Sequence, residues 1–141
     1  VRVREEEECL NWIDSNDLGV YDLTQKIISI NANWFKGSKH EIRLKSQFVA
    51  LEAENPISLI LDKAGYLYNH NSNVRPFTDG ITSFQIRYKY EIVPLSYIYI
   101  VYTKGGRVYD DENERNTSDV FKDPWDNPDN EIFSLKFRLK Y

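Results

Sequence analysis

The chain has 141 residues, of which 41% are hydrophobic, 14% aromatic and 28% charged, a composition too apolar for a disordered protein. The net charge of −4 gives no basic excess for nucleic acid, and the single cysteine excludes an internal disulfide or a multi-cysteine metal site. The longest apolar run, Tyr97–Tyr102, is too short for a membrane-spanning helix, and no signal peptide is predicted. Because methionine is absent and the chain starts at Val1, we expect it to be cut from a longer reading frame.

Taken in chain order, five segments have the hydrophobic pattern of strands. Apolar side chains alternate with polar ones in Ile28–Trp34, Ile42–Ala50, Phe84–Ile92 and Phe133–Tyr141. A period of two is typical of a strand, because successive side chains point to opposite faces. Tyr97–Lys104 is apolar on both faces at its start, so its orientation stays open. The only helix signal is a short turn over Glu5–Ile13.

The connections alternate in length. Lys36–Ser38 and Pro94–Ser96 predict tight turns, whereas residues 5–24, 54–82 and 105–130 predict long connections. Short turns at one end and long loops at the other are typical of outer-membrane β-barrels. The sequence therefore predicts an all-β fold, an antiparallel up-and-down meander forming part of a transmembrane β-barrel, whose last strand runs toward the short-turn end.

The charge distribution assigns each face of these strands an environment. A charge facing lipid costs about 2–4 kcal/mol near the midplane, and the apolar sides carry none. We therefore expect the apolar side to face lipid and the charged side a wet lumen, where basic groups favour anions or pair with carboxylates. The expected lipid-facing residues are Phe84, Ile86, Tyr88, Tyr90, Ile92, Phe133 and Leu135. The expected lumen-facing residues are Arg43, Lys45, Arg87, Lys89, Glu91, Lys136 and Arg138.

A soluble fold gives the same alternation. An antiparallel sheet with one face on a core and the other in water reads identically. A soluble β-sandwich that binds carbohydrate through exposed tyrosines and tryptophans is therefore the alternative. It requires a second sheet over the apolar face, whereas the barrel leaves that face bare.

The segment Gln85–Gly106, which reads QIRYKYEIVPLSYIYIVYTKGG, resembles a bacterial outer-membrane β-barrel family of unknown function, over about Asn31–Tyr141. The resemblance implies that residues 25–141 are C-terminal barrel strands, that residues 1–24 are a strand end and a loop outside the match, and that the protein lies in the bacterial outer membrane. Members of that family usually follow a family-nine carbohydrate-binding module, so carbohydrate is an expected partner through an upstream module. Because members are also labelled membrane-associated hydrolases, a hydrolase with its catalytic residues outside this segment is a further alternative.

The chain ends on alternating apolar residues with a terminal aromatic, Phe137, Leu139 and Tyr141. This pattern resembles the signal by which outer-membrane barrels present their last strand to the assembly machinery, although the upstream glycine often found in that signal is missing. The physical basis is the addition of an extended segment to a sheet edge, with alternate side chains in pockets. Outer-membrane lipid and that machinery are the expected partners.

No pattern indicates catalysis, a resident metal or a cofactor. His40 and His70 lack partners at the spacing of a metal site or a catalytic triad, and Cys9 follows an acidic run that does not favour a thiolate. Carboxylates and asparagines crowd residues 105–130, and their oxygens suit calcium, but the spacing of an EF-hand is absent. Calcium binding there stays open.

Overall fold

A computed structural model describes residues 1–71, 73–111 and 117–140. In chain order the elements are β1 (Arg2–Asp14), β2 (Asp17–Lys36), β3 (His40–Leu61), β4 (Leu67–Asn69), β5 (Phe77–Val93), β6 (Ser96–Asp110), α1 (Thr117–Asp126) and β7 (Asn130–Arg138). Among the described residues, none of the helices has the length and apolar character needed to cross a bilayer.

All the described strands belong to one antiparallel sheet. Its order is β1-β2-β3-β5-β6-β7, and β4 pairs with β3 beside this path. The predicted all-β, up-and-down meander is confirmed. The described strands form one sheet and make no second layer over it. The sheet is open, because β1 and β7 form its two edges in the described part of the chain.

The two tight turns predicted from the sequence lie between paired strands. Residues 37–39 join β2 to β3, and Gly37 adopts a φ of 61° there. Residues 94–95 join β5 to β6, and Leu95 adopts a φ of 69°, a conformation that costs a side-chain-bearing residue about 1–3 kcal/mol. Both turns lie at one end of the sheet, which we call the turn end, and β7 runs toward it as predicted.

The N-terminal segment differs from the expectation. Residues 1–24 form β1 and the start of β2, joined by a two-residue turn at Ser15–Asn16. The long connection expected over residues 5–24 and the helical turn over Glu5–Ile13 are therefore both wrong. The run Glu5–Glu8 lacks hydrophobic alternation, and the segment is held instead by its pairing with β2.

The strands are also longer than the hydrophobic pattern suggests. The long connections are residues 62–76, which include β4, and residues 111–129, which include α1. They lie together at the opposite end of the sheet, which we call the loop end. The ladder continues there because backbone pairing does not need hydrophobic alternation: β3 keeps its register with β5 as far as Ala53 and Phe77.

Candidate functional site

The register separates the predicted residues into two faces. Ile42 pairs with Tyr88, and Leu44 pairs with Ile86; we call the face that carries them the apolar face. Following the register through β5, β6 and β7 shows that the expected lipid-facing residues other than Ile92 all lie on it. Ile92 lies at a register shift before the turn and is 37% exposed.

The apolar face is bare at the β7 edge. Phe133 is 69% exposed and Phe137 is 59% exposed, so nothing in the described part of the chain covers them. Of the expected assembly signal, Phe137 lies in β7 and Leu139 just beyond it, while Tyr141 lies outside the described residues. In the part of the chain that the structure describes, the outer edge of β7 pairs with no other strand.

The opposite side, which we call the charged face, carries the expected lumen-facing residues. Arg43 pairs with Arg87, and Lys89 is in line with Lys136 through β6. Glu41 lies among these groups: its carboxylate accepts a hydrogen bond from Arg43 and lies 3.6 Å from the Lys89 amine. A carboxylate between two cations offsets their repulsion, as the pairing interpretation of this face expects.

Helix α1 packs on the loop end of the apolar face. Val120 is buried against Gly80. The rings of Phe121 and Phe48 lie 5.9 Å apart, and those of Trp125 and Phe84 5.3 Å apart, both edge to face. Edge-to-face geometry stabilises aromatic pairs beyond their buried area. The helix therefore covers only the loop end of this face.

A cavity lies on the charged face at the loop end, and we call it the loop-end pocket. Its volume is about 640 Å³. Trp12 of β1 borders one side and Tyr109 of β6 the other, with residues 73–75 alongside. These two strands are four strand spacings apart, or about 19 Å on a flat sheet. A single cavity shared by both indicates that the sheet curves toward its charged face.

Aromatic rings form the floor of the loop-end pocket. Tyr21 and Phe77 meet edge to face at 5.3 Å, and Phe77 stacks on Tyr109 at 5.7 Å. Tyr21 is only 5% exposed, whereas Tyr109 is 58% exposed. The floor is therefore a packed aromatic row whose last ring opens to the cavity.

An ion pair lies beside this row. Arg107 donates from Nε to Asp79 Oδ1 and from Nη2 to Asp79 Oδ2, both at 2.7 Å, and its backbone N–H donates to Asp129 at 2.7 Å. The bidentate hydrogen bond to Asp79 is the main cause that raises the pKa of Arg107. Because planar bidentate geometry fixes both groups, their remaining polar edges are held toward the pocket.

Burial, and to a smaller extent the neighbouring Tyr109 hydroxyl, raise the pKa of Tyr21. The folded state holds the Tyr21 proton more tightly than the unfolded state does. The resulting contribution to the free energy of unfolding is fully present below the unfolded tyrosine pKa of about 10, and it is lost as the pH rises through the folded pKa. We therefore expect the free energy of unfolding to fall more steeply above about pH 10 in the natural chain than in Tyr21→Phe. Urea unfolding across this range measures both slopes, and parallel curves would contradict the assignment.

The sequence did not point to this pocket. Tyr21, Asp79, Arg107 and Tyr109 all lie in segments expected to be loops or left unassigned. The sequence does place a charged residue two positions from an aromatic one, as in Arg107 and Tyr109. That spacing puts both on one face of a strand, but only the strand register shows which other residues share the face. Among the described residues, no group of three or more acidic, histidine or cysteine side chains is arranged to hold a metal ion.

No protein-family model, curated protein or solved structure matches the chain. The features of the chain that bear on its function are the two faces of the sheet and the loop-end pocket.

Proposed function

We propose that this chain is part of a bacterial outer-membrane β-barrel, with its apolar face in lipid and its charged face toward a lumen. In that setting it anchors or displays an upstream carbohydrate-binding module, or passes solute. The supporting observation is a charge-free band on the apolar face. In β2 the band lies between Lys26 and Lys36, and in β7 it runs from Phe133 to Phe137.

Charged residues of the apolar face mark the loop-side edge of this band: Lys26 in β2, Glu52 in β3, Lys104 in β6 and Glu131 in β7. Through the register, Glu52 is level with Thr24, whereas Lys104 and Glu131 are level with Ile30. The band is therefore bounded by charge at its loop side in each of these strands.

Both edges of the band carry amphipathic groups. Tyr102 donates a hydrogen bond to Glu131 at 2.6 Å, and Lys104 lies 4.8 Å from the centre of the Trp125 ring at the loop side. At the turn side, the His40 ring lies 2.7 Å from the Tyr88 hydroxyl. Aromatic rings with a polar partner favour membrane interfaces, which supports two girdles around a lipid-facing band.

Electrophoretic mobility tests this proposal. The full-length product that contains this chain is expected in the outer-membrane fraction, extracted by detergent, and to run faster on a gel when unboiled than when boiled. The shift arises because a closed barrel has no free sheet edge and resists detergent unless heated. Recovery in the soluble fraction with a single mobility would overturn the proposal.

A further inference from the structure

We propose that the loop-end pocket binds a neutral oligosaccharide. This inference goes beyond the membrane assignment, because the pocket lies on the charged face and would hold its ligand whether the apolar face meets lipid or protein. Its volume of about 640 Å³ falls inside the range of roughly 300–1,000 Å³ that is usual for small-molecule sites.

One exposed aromatic side chain of the pocket is offered to a ligand. Tyr109 is 58% exposed and borders the cavity, whereas Trp12 pairs with Leu18 and so lies on the face opposite Tyr21. Tyr109 is held from behind by its stacking on Phe77, so a ligand does not have to order that ring. Rigid aromatic rings give large contact area at a low entropic cost, and a sugar ring presents a flat C–H surface that suits them.

The polar groups of the pocket match hydroxyl groups. Asp79 retains acceptor sites beyond those that Arg107 occupies, and the Arg107 guanidinium, which is 59% exposed, retains N–H donors. Asn11 and Asn73 add amide groups at the border. A saccharide hydroxyl both donates and accepts, so fixed donors and acceptors side by side can bind the edge of a sugar ring while Tyr109 contacts its face.

The charge of the pocket favours an uncharged ligand. Among the residues that the structure describes, the border side chains that carry a charge at neutral pH are Asp79, Asp111, Arg75 and Arg107, two acidic and two basic. Because their formal charges cancel, a carboxylated or phosphorylated ligand gains no net electrostatic attraction. A neutral ligand does not depend on such attraction.

The full chain, folded in detergent micelles, is titrated with maltotriose, cellotriose and mannotriose, with trigalacturonate as the charged comparison. Binding is followed by isothermal titration calorimetry. We expect a saturable heat with at least one neutral trisaccharide and at least tenfold weaker binding in Tyr109→Ala. Tyr99→Ala removes an aromatic from the same strand and face outside the pocket, and it should bind normally.

Asn73→Ala, on the connection before β5, is the second variant, and we expect it to weaken binding without altering the strand signal in circular dichroism. Titration with no saturable change for any neutral trisaccharide, equal affinity in Tyr109→Ala and Tyr99→Ala, or tighter binding of trigalacturonate would each overturn the inference. Because the titration needs only the folded sheet, its failure is distinct from a failure to enter the outer membrane.

Discussion

Leu135→Arg is expected to prevent insertion of the chain into the outer membrane, whereas Ser134→Arg is expected to leave insertion intact. Leu135 lies on the apolar face of β7 and is 53% exposed, while Ser134 points to the charged face. An arginine facing lipid near the midplane costs about 2–4 kcal/mol, which corresponds to a change of roughly 30- to 700-fold in the insertion equilibrium. The measurement is the fraction of each variant that runs as the unboiled, faster band.

The two variants share a strand, a charge and nearly a position, so they differ mainly in the face that receives the arginine. If the apolar face met water, Leu135→Arg would raise solubility and cost little. Equal insertion of both variants would therefore remove the main support for a lipid-facing band, even if the protein fractionated with membranes for another reason.

Gly106→Ala is expected to displace α1 from the sheet, whereas Gly105→Ala is expected to leave α1 in place. A Cβ on Gly106 would lie 2.6 Å from the backbone oxygen of Pro124 in α1, while one on Gly105 would lie 3.2 Å from the Thr82 oxygen on the other face. Backbone cannot move aside as a flexible side chain can, so overpacking here costs about 1–3 kcal/mol.

The emission of Trp125 measures this displacement, in a background with Trp12→Phe and Trp34→Phe. Undocking of α1 separates Trp125 from Phe84 and Lys104, so we expect a red shift and faster quenching by iodide in Gly106→Ala alone. An unchanged spectrum in Gly106→Ala would show that the helix does not depend on this close approach.

The central strands were predictable because their burial alternates. Phe84–Ile92 carries apolar residues at every second position, and tight turns follow it and join the two strands before it. The strand, its faces and its direction therefore follow from the sequence. The sequence could not give the lengths of the strands. At the loop end, β3 and β5 are held by backbone pairing around Ala50 and Gly80, where small residues replace the alternation.

The small residues at the loop end pack against α1, which the hydrophobic pattern of the sequence does not predict. Gly80 and Gly106 let α1 approach the sheet closely, yet α1 contains Pro124 and few apolar residues, so it resembles a loop in sequence. The loop-end pocket was missed for a related reason. Its residues come from β1, β2, β3, β5, β6 and the connection before β5, and only the fold brings these distant segments together.

The directions of the two outermost strands restrict how the sheet can be completed. Every neighbouring pair along the path is antiparallel, so β1 ascends from the turn end while β7 descends to it. Any further strands between β7 and β1 must alternate in direction. Only an even number of them, zero included, is antiparallel to both β1 and β7. A sheet closed in this way has an even number of strands along the path, as bacterial single-chain barrels do. An odd number of added strands would require one parallel pair.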